Sequence, residues 1–142
     1  MRRSTDLMQL LTRAERLLAR RLAAILAAEG YGLEAWRVIT LLADGKGHFM
    51  TEVAEHAFLP PGSLTRLVDQ LVEDALLYRR VDDIDRRRIR AHLTPRGQRL
   101  HQRISDDIQA SVAGLPAVGE LERQLTGLID ELDPARVKSP SA

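Results

Sequence analysis

Nine arginines (Arg79, Arg80, Arg86, Arg87, Arg88, Arg90, Arg96, Arg99 and Arg103) fall within residues 79–103, against three aspartates, Asp82, Asp83 and Asp85. Residues 1–78 carry 9 basic and 10 acidic side chains, and residues 104–142 carry 3 and 7. The formal total of +1 therefore conceals a local excess of positive charge. Guanidinium groups at this density suit one task above others, the binding of a phosphate polyanion. The plainer alternative is a solvated hairpin whose aspartates neutralise their neighbours.

Other chemistries find little support. The chain has no cysteine, which excludes disulfides, thiolate-held zinc, iron–sulfur clusters and thiol redox sensing. His48, His56, His92 and His101 form no H-x-x-x-H pair. His101 with Asp106 faintly suggests a metal ligand pair, but scattered surface histidines are the expectation. No local nucleophile–base–orienter set and no glycine-rich phosphate loop is present, so neither an enzyme nor a cofactor is expected. A small-molecule enzyme would need a convergent polar pocket that no local motif reveals. Trp36, the single tryptophan, is read as core packing, with lining of a ligand pocket as its second reading.

The elements that must position these groups follow from periodicity. Residues 6–28 place leucines and alanines at spacings of three and four, and "EGYG" ends the run. A second helix spans residues 33–43, closed by "DGKG". "HFM" is long enough for a strand-like bridge only. Thr51 stands as the N-cap of a short helix, with Glu52 in its first turn and Val53, Ala54 and Ala57 inward. "FLPPGS" interrupts that helix, because two prolines cannot continue one but can begin the next.

From Pro61 to about Ala75 a helix carries an inner stripe of Leu64, Leu67, Val68 and Leu71. Ser63, Thr65, Arg66, Asp69, Gln70 and Glu73 occupy its outer face. "LLYRRV" and "RIRAHL" read as two strands, the second alternating Ile89, Ala91 and Leu93 with Arg88, Arg90 and His92. Thr94 and Pro95 open a long helix as N-cap and first residue, and "GLPAVG" breaks it. In the last helix Val118, Leu121, Leu125, Leu128 and Leu132 form a coiled-coil-like seam. Residues 133–142 read as a frayed, flexible tail.

Two short helices joined by a tight turn, then an arginine-rich hairpin, are what a winged helix-turn-helix requires. Around those residues the chain resembles the MarR family (multiple-antibiotic-resistance regulators), over roughly residues 5–132 and most densely over 51–97. "DRRRIRAHLTPRG" is similar to that family's wing signature, which falls here on Asp85, Arg87, Leu93, Thr94 and Gly97. "GSLTRLVDQLVEDALLYRR" resembles its recognition helix and the exit into the wing. The resemblance implies that Arg87 lies at or near the wing tip, braced by Asp85, and that first and last helices join a homodimer. Three positions depart from the pattern: Pro60 replaces a capping serine, Gly62 a small polar residue, and Ala75 the glycine that usually ends the helix. The last implies a different helix termination.

The expected fold is thus mainly α with a small β-hairpin, a single domain over residues 1–142. Its DNA-binding part is residues 33–93, and residues 5–29 and 94–132 are dimerisation helices. The expected function is a dimeric, sequence-specific transcription regulator, a repressor, on a double-stranded inverted-repeat operator. Residues expected at DNA are Pro61, Gly62, Ser63, Thr65, Arg66, Gln70, Arg86, Arg87 and Arg88. The family's habit of sensing aromatic or phenolic molecules makes Trp36 the candidate effector residue. A winged helix that meets an acidic protein partner is the alternative. "MRRSTDLMQLL" shows no cleavage-type site, and no apolar run approaches the ~20 residues of a membrane span. A soluble cytoplasmic protein without membrane contact is therefore expected.

Overall fold

The computed structural model describes residues 4–133, so the expected tail lies outside the described residues apart from Asp133. In chain order the elements are α1 (Ser4–Ala28), α2 (Leu33–Leu42), β1 (His48–Phe49), α3 (Met50–Ala57) and α4 (Pro61–Glu73). Then follow β2 (Leu77–Val81), β3 (Ile89–Leu93), α5 (Pro95–Val112) and α6 (Val118–Leu132). By contacts the chain divides into two compact units, residues 1–108 and 109–142. The fold class expected from the sequence, helices with a small hairpin, is the one observed.

The core lies in the first unit. Val38, Ile39 and Leu42 of α2, Val53 of α3, and Leu64, Val68 and Leu71 of α4 are all buried to 1 % exposure or less. Each such side chain contributes roughly 1.5–3 kcal/mol when taken from water. This shared burial is what fixes α3 and α4 as a pair on α2. Leu67 is only half-buried, at the edge of the α4 stripe.

The hairpin gains a third strand. β1 pairs antiparallel with β3, giving the order β1-β3-β2, with His48 opposite Ala91 and Phe49 opposite Arg90. That pairing corrects the start of α3. Phe49 is held extended (φ −65°, ψ 149°) as the N-cap, the helix begins at Met50, and Thr51 lies inside the first turn. The Glu52 carboxylate accepts the Phe49 N–H at 3.4 Å, so the helix start is capped backwards by Glu52. Ile89 is also exposed, although its alternation with Ala91 and Leu93 predicts burial. It pairs with Val81 next to the hairpin turn, beyond the reach of the core.

Three helices end in one way. After α1 the N–H of Gly30 donates to Ala27 and that of Tyr31 to Leu26; after α3 Phe58 donates to Glu55 and Leu59 to Ala54; after α4 Ala75 donates to Val72 and Leu76 to Leu71. Each is a Schellman turn whose central residue takes a positive φ: Gly30 85°, Phe58 57° and Ala75 61°. So the expected change of termination at Ala75 does not occur. Alanine takes up the left-handed conformation that glycine would adopt without strain.

Candidate nucleic-acid interface

α4 begins with Pro61 at its first position and Pro60 as an extended N-cap with no side-chain cap bond. Pro61, Gly62, Ser63, Thr65, Arg66 and Gln70 are all exposed on it. Leu64 N donates to Pro60 O at 3.0 Å, closing the first turn. The N–H groups ahead of Leu64 have no partner within the helix, so this end carries the positive pole of the helix dipole. Thr65 Oγ1 donates to Pro61 O at 3.0 Å, and Gln70 Nε2 to Asp74 Oδ1 at 3.1 Å. Arg66 has no ion-pair partner among the described residues.

Asp69 shares that outer face and by itself would repel phosphate. Arg79 of β2 pairs with it. The contact offsets the acid and ties α4 to β2.

The wing is ordered by its aspartates. Asp82 accepts the Asp85 N–H at 2.9 Å and Arg90 Nε at 2.9 Å. The backbone bond first and Arg90 second hold its carboxyl below the usual carboxylate range. Asp85 Oδ1 accepts both the backbone N–H of Arg87, at 3.1 Å, and its Nε, at 3.2 Å. The Arg87 side chain nevertheless stays 91 % exposed, so the brace aims the guanidinium without consuming it. Arg86 is exposed, and Ile84 at the turn is 96 % exposed. Arg80 pairs loosely with Asp83, at 3.8 Å.

Sequence reasoning missed the role of Phe49. The Arg88 guanidinium lies 3.4 Å from its ring centroid and that of Arg90 lies 3.9 Å away, while Arg90 Nη1 also donates to Gly47 O at 3.2 Å. The ring anchors the wing's second strand to the start of α3, a cation–π arrangement that leaves Arg88 exposed. A register argument could have found it, since β1 must be short and Phe49 is its one large residue.

Trp36 is 8 % exposed and stacks on His101 of α5, ring centroids 5.3 Å apart and planes 17° from parallel. Burial lowers the His101 pKa, so this ring pair favours the neutral imidazole. Among the described residues no cluster of histidines and acids could hold a metal ion, and no helix is long and apolar enough to cross a membrane.

Comparison with known proteins agrees with this geometry. The model of the MarR family matches residues 29–88. The chain is 28% identical over 100 residues to the homoprotocatechuate degradative operon repressor of Escherichia coli, covering 69% of this chain and 68% of that protein. Among solved structures, NadR in complex with 4-hydroxyphenylacetate superposes with a TM-score of 0.80 at 26% identity, covering 92% of this chain and 93% of that one. CouR from Rhodococcus jostii RHA1 bound to p-coumaroyl-CoA gives a TM-score of 0.75 at 26% identity, over 92% and 94% of the two chains.

Proposed function

As the chain belongs to the MarR family of winged-helix transcription regulators, we propose that it is a dimeric repressor of an inverted-repeat operator. In this reading residues 33–93 bind DNA and residues 5–29 and 94–132 carry the pairing surfaces. Residues 61–70 enter one major groove per subunit, with half-sites about one helical turn apart. The observation that carries the reading is the braced but fully presented Arg87, on a hairpin tied through Arg79 to the recognition helix. Arg86, Arg87 and Arg88 neutralise phosphates and give affinity, and Arg66 with Ser63, Thr65, Gly62 and Gln70 gives register and sequence preference.

Pairing is supported by apolar surface left open on two helices. Leu7, Met8, Leu10 and Leu17 of α1 are half-exposed or more, as are Leu121 and Leu132 of the α6 seam. Exposed apolar side chains on these helices suit an association face. An aromatic effector is the reading for regulation, since two similar structures hold 4-hydroxyphenylacetate and p-coumaroyl-CoA. Trp36, stacked on His101, would supply a wall of such a pocket. The effector releases DNA only by its different affinity for the two arrangements of the dimer.

The test is selection of binding sites from a random duplex pool by the purified protein, with the mass of the resulting complex measured. An enriched inverted repeat carrying two chains is expected. A pool without any enriched motif overturns the operator and favours a winged helix that docks on an acidic protein.

A further inference from the structure

The turn of the hairpin carries an apolar side chain that the fold does not use. Ile84 is 96 % exposed and stands between Asp83 and Asp85. A polar residue in its place would cost the fold little. One exposed isoleucine needs no explanation by itself. This one has company, because Val81 and Ile89, which pair across β2 and β3 at the base of the turn, are 51 % and 42 % exposed. The wing therefore ends in three apolar side chains.

The turn that presents Ile84 is closed twice. Asp82 Oδ2 accepts the Asp85 N–H at 2.9 Å, which holds Asp83 and Ile84 in a first loop. Asp85 O accepts the Arg88 N–H at 3.0 Å, which holds Arg86 and Arg87 in a second. The Asp82 N–H donates to Arg88 O at 2.9 Å and joins the two loops at their base. Asp85 thus places both groups, Ile84 through its own N–H and Arg87 through its carboxylate.

The charge around this apolar tip selects its partner. Residues 80–90 hold five arginines against three aspartates. Asp82 is bonded to Arg90 and Asp85 to Arg87, and Asp83 lies 3.8 Å from Arg80. Arg86 has no ion pair among the described residues. A purely apolar partner surface would strip water from these guanidiniums without pairing them, which is costly. The minor groove of a duplex offers both surfaces at once, stacked bases and sugars inside and a row of phosphates on either side.

We propose that Ile84 is an apolar wedge that enters the minor groove beside the wing arginines, partly unstacks one base step and kinks the duplex. The inference rests on the operator reading and adds to it a contact that senses deformability instead of base edges. Inserted apolar side chains kink a duplex by roughly 20–90°. Pyrimidine–purine steps open most easily, so the protein prefers TA or CA/TG where the wing lands. The arginines attract every sequence, and Ile84 adds a preference among them.

The test is binding-site selection from a random duplex pool with the full wild-type chain and with its Ile84→Ser and Ile84→Leu variants. The wild-type consensus is then labelled with the fluorescent base analogue 2-aminopurine at the step beneath the wing. Because Ile84 is exposed, neither change touches the core. The wild type should enrich a pyrimidine–purine step flanking the central motif, and binding should raise the emission of the analogue as the step unstacks. Leucine should retain both effects. Serine should recover the same central motif but lose the step preference and the emission, and bind about tenfold more weakly. A wild-type motif with no such step, or a serine variant that keeps the step preference and the emission, overturns the wedge and leaves the operator reading standing. A wild-type pool with no enriched motif overturns both.

Discussion

Gly97 stands in the third turn-forming position after Thr94, in a helix where alanine would ordinarily be the better residue by about 1 kcal/mol. Gly97→Ala should nonetheless destabilise the protein. A Cβ there would lie 2.2 Å from the Leu76 carbonyl oxygen and 3.0 Å from Leu93 Cδ2. Carbon–oxygen contacts settle near about 3.3 Å, so the α4–β2 joint must open by roughly 1 Å. The obstructing atom is backbone and cannot rotate away. It also accepts the Thr94 N–H, and Thr94 Oγ1 in turn accepts the Gly97 N–H at 3.0 Å, so movement strains both bonds. Overpacking of about 1–3 kcal/mol and about 1 kcal/mol of weakened hydrogen bonding, set against the helix gain, leave a net loss of about 1–3 kcal/mol. In a domain of this size that lowers Tm by several degrees, on the order of 3–10 °C. Gly127→Ala in α6 is the matched control, because an added Cβ there meets nothing within 4 Å, and it should be neutral or stabilising. Thermal unfolding followed by circular dichroism decides the matter. A Gly97→Ala protein as stable as the control variant would refute the close-approach argument.

Ala75→Gly should raise stability by about 0.5–1 kcal/mol in urea unfolding, since the left-handed strain of alanine exceeds the chain entropy that glycine adds. A loss of stability would contradict the Schellman ending of α4. His48 should tie stability to pH. Burial lowers its pKa, but hydrogen bonds from its ring to Glu52 (3.0 Å) and Asp44 (2.7 Å) outweigh burial and raise it above 6.5. A raised native pKa gives stability that is complete below 6.5 and lost as pH rises through the native value. His48→Asn should therefore flatten the decline of stability with pH in that window, and an unchanged profile would dismiss the pairing. On DNA, Arg87→Ala should weaken binding to every duplex and reduce the salt slope by about one charge. Arg66→Ala should cost roughly 1–3 kcal/mol at one base position. Equal effects of both variants on all sequences would overturn that division of labour.

Much of this was legible in the chain because period and punctuation agree. The stripe Leu64, Val68, Leu71 and the breaks at Pro60 and Pro61 locate α4, and Thr94 with Pro95 locate α5, whose cap bond from Gly97 N to Thr94 Oγ1 is present. What could not be read depends on contacts between segments distant in sequence. β1 exists only because β3 offers an edge to His48 and Phe49, and that pairing moved the N-cap of α3 from Thr51 to Phe49. Ala75 misled because composition says nothing about φ; the turn dictated by Leu76 donating to Leu71 imposes it. Among the wing charges, Asp85 sits two residues from Arg87 and could be matched locally. The Asp82–Arg90 and Asp69–Arg79 pairs needed the hairpin register and the α4–β2 joint.

The central claim is that the arginine wing and α4 together read duplex DNA. It is tested most directly by fluorescence anisotropy of the protein with duplex from upstream of its own gene and with a scrambled duplex of equal length, across a range of salt. Tight binding that prefers the upstream duplex and weakens steeply as salt rises is the predicted result. Weak binding, equal for both duplexes and nearly flat with salt, would contradict it.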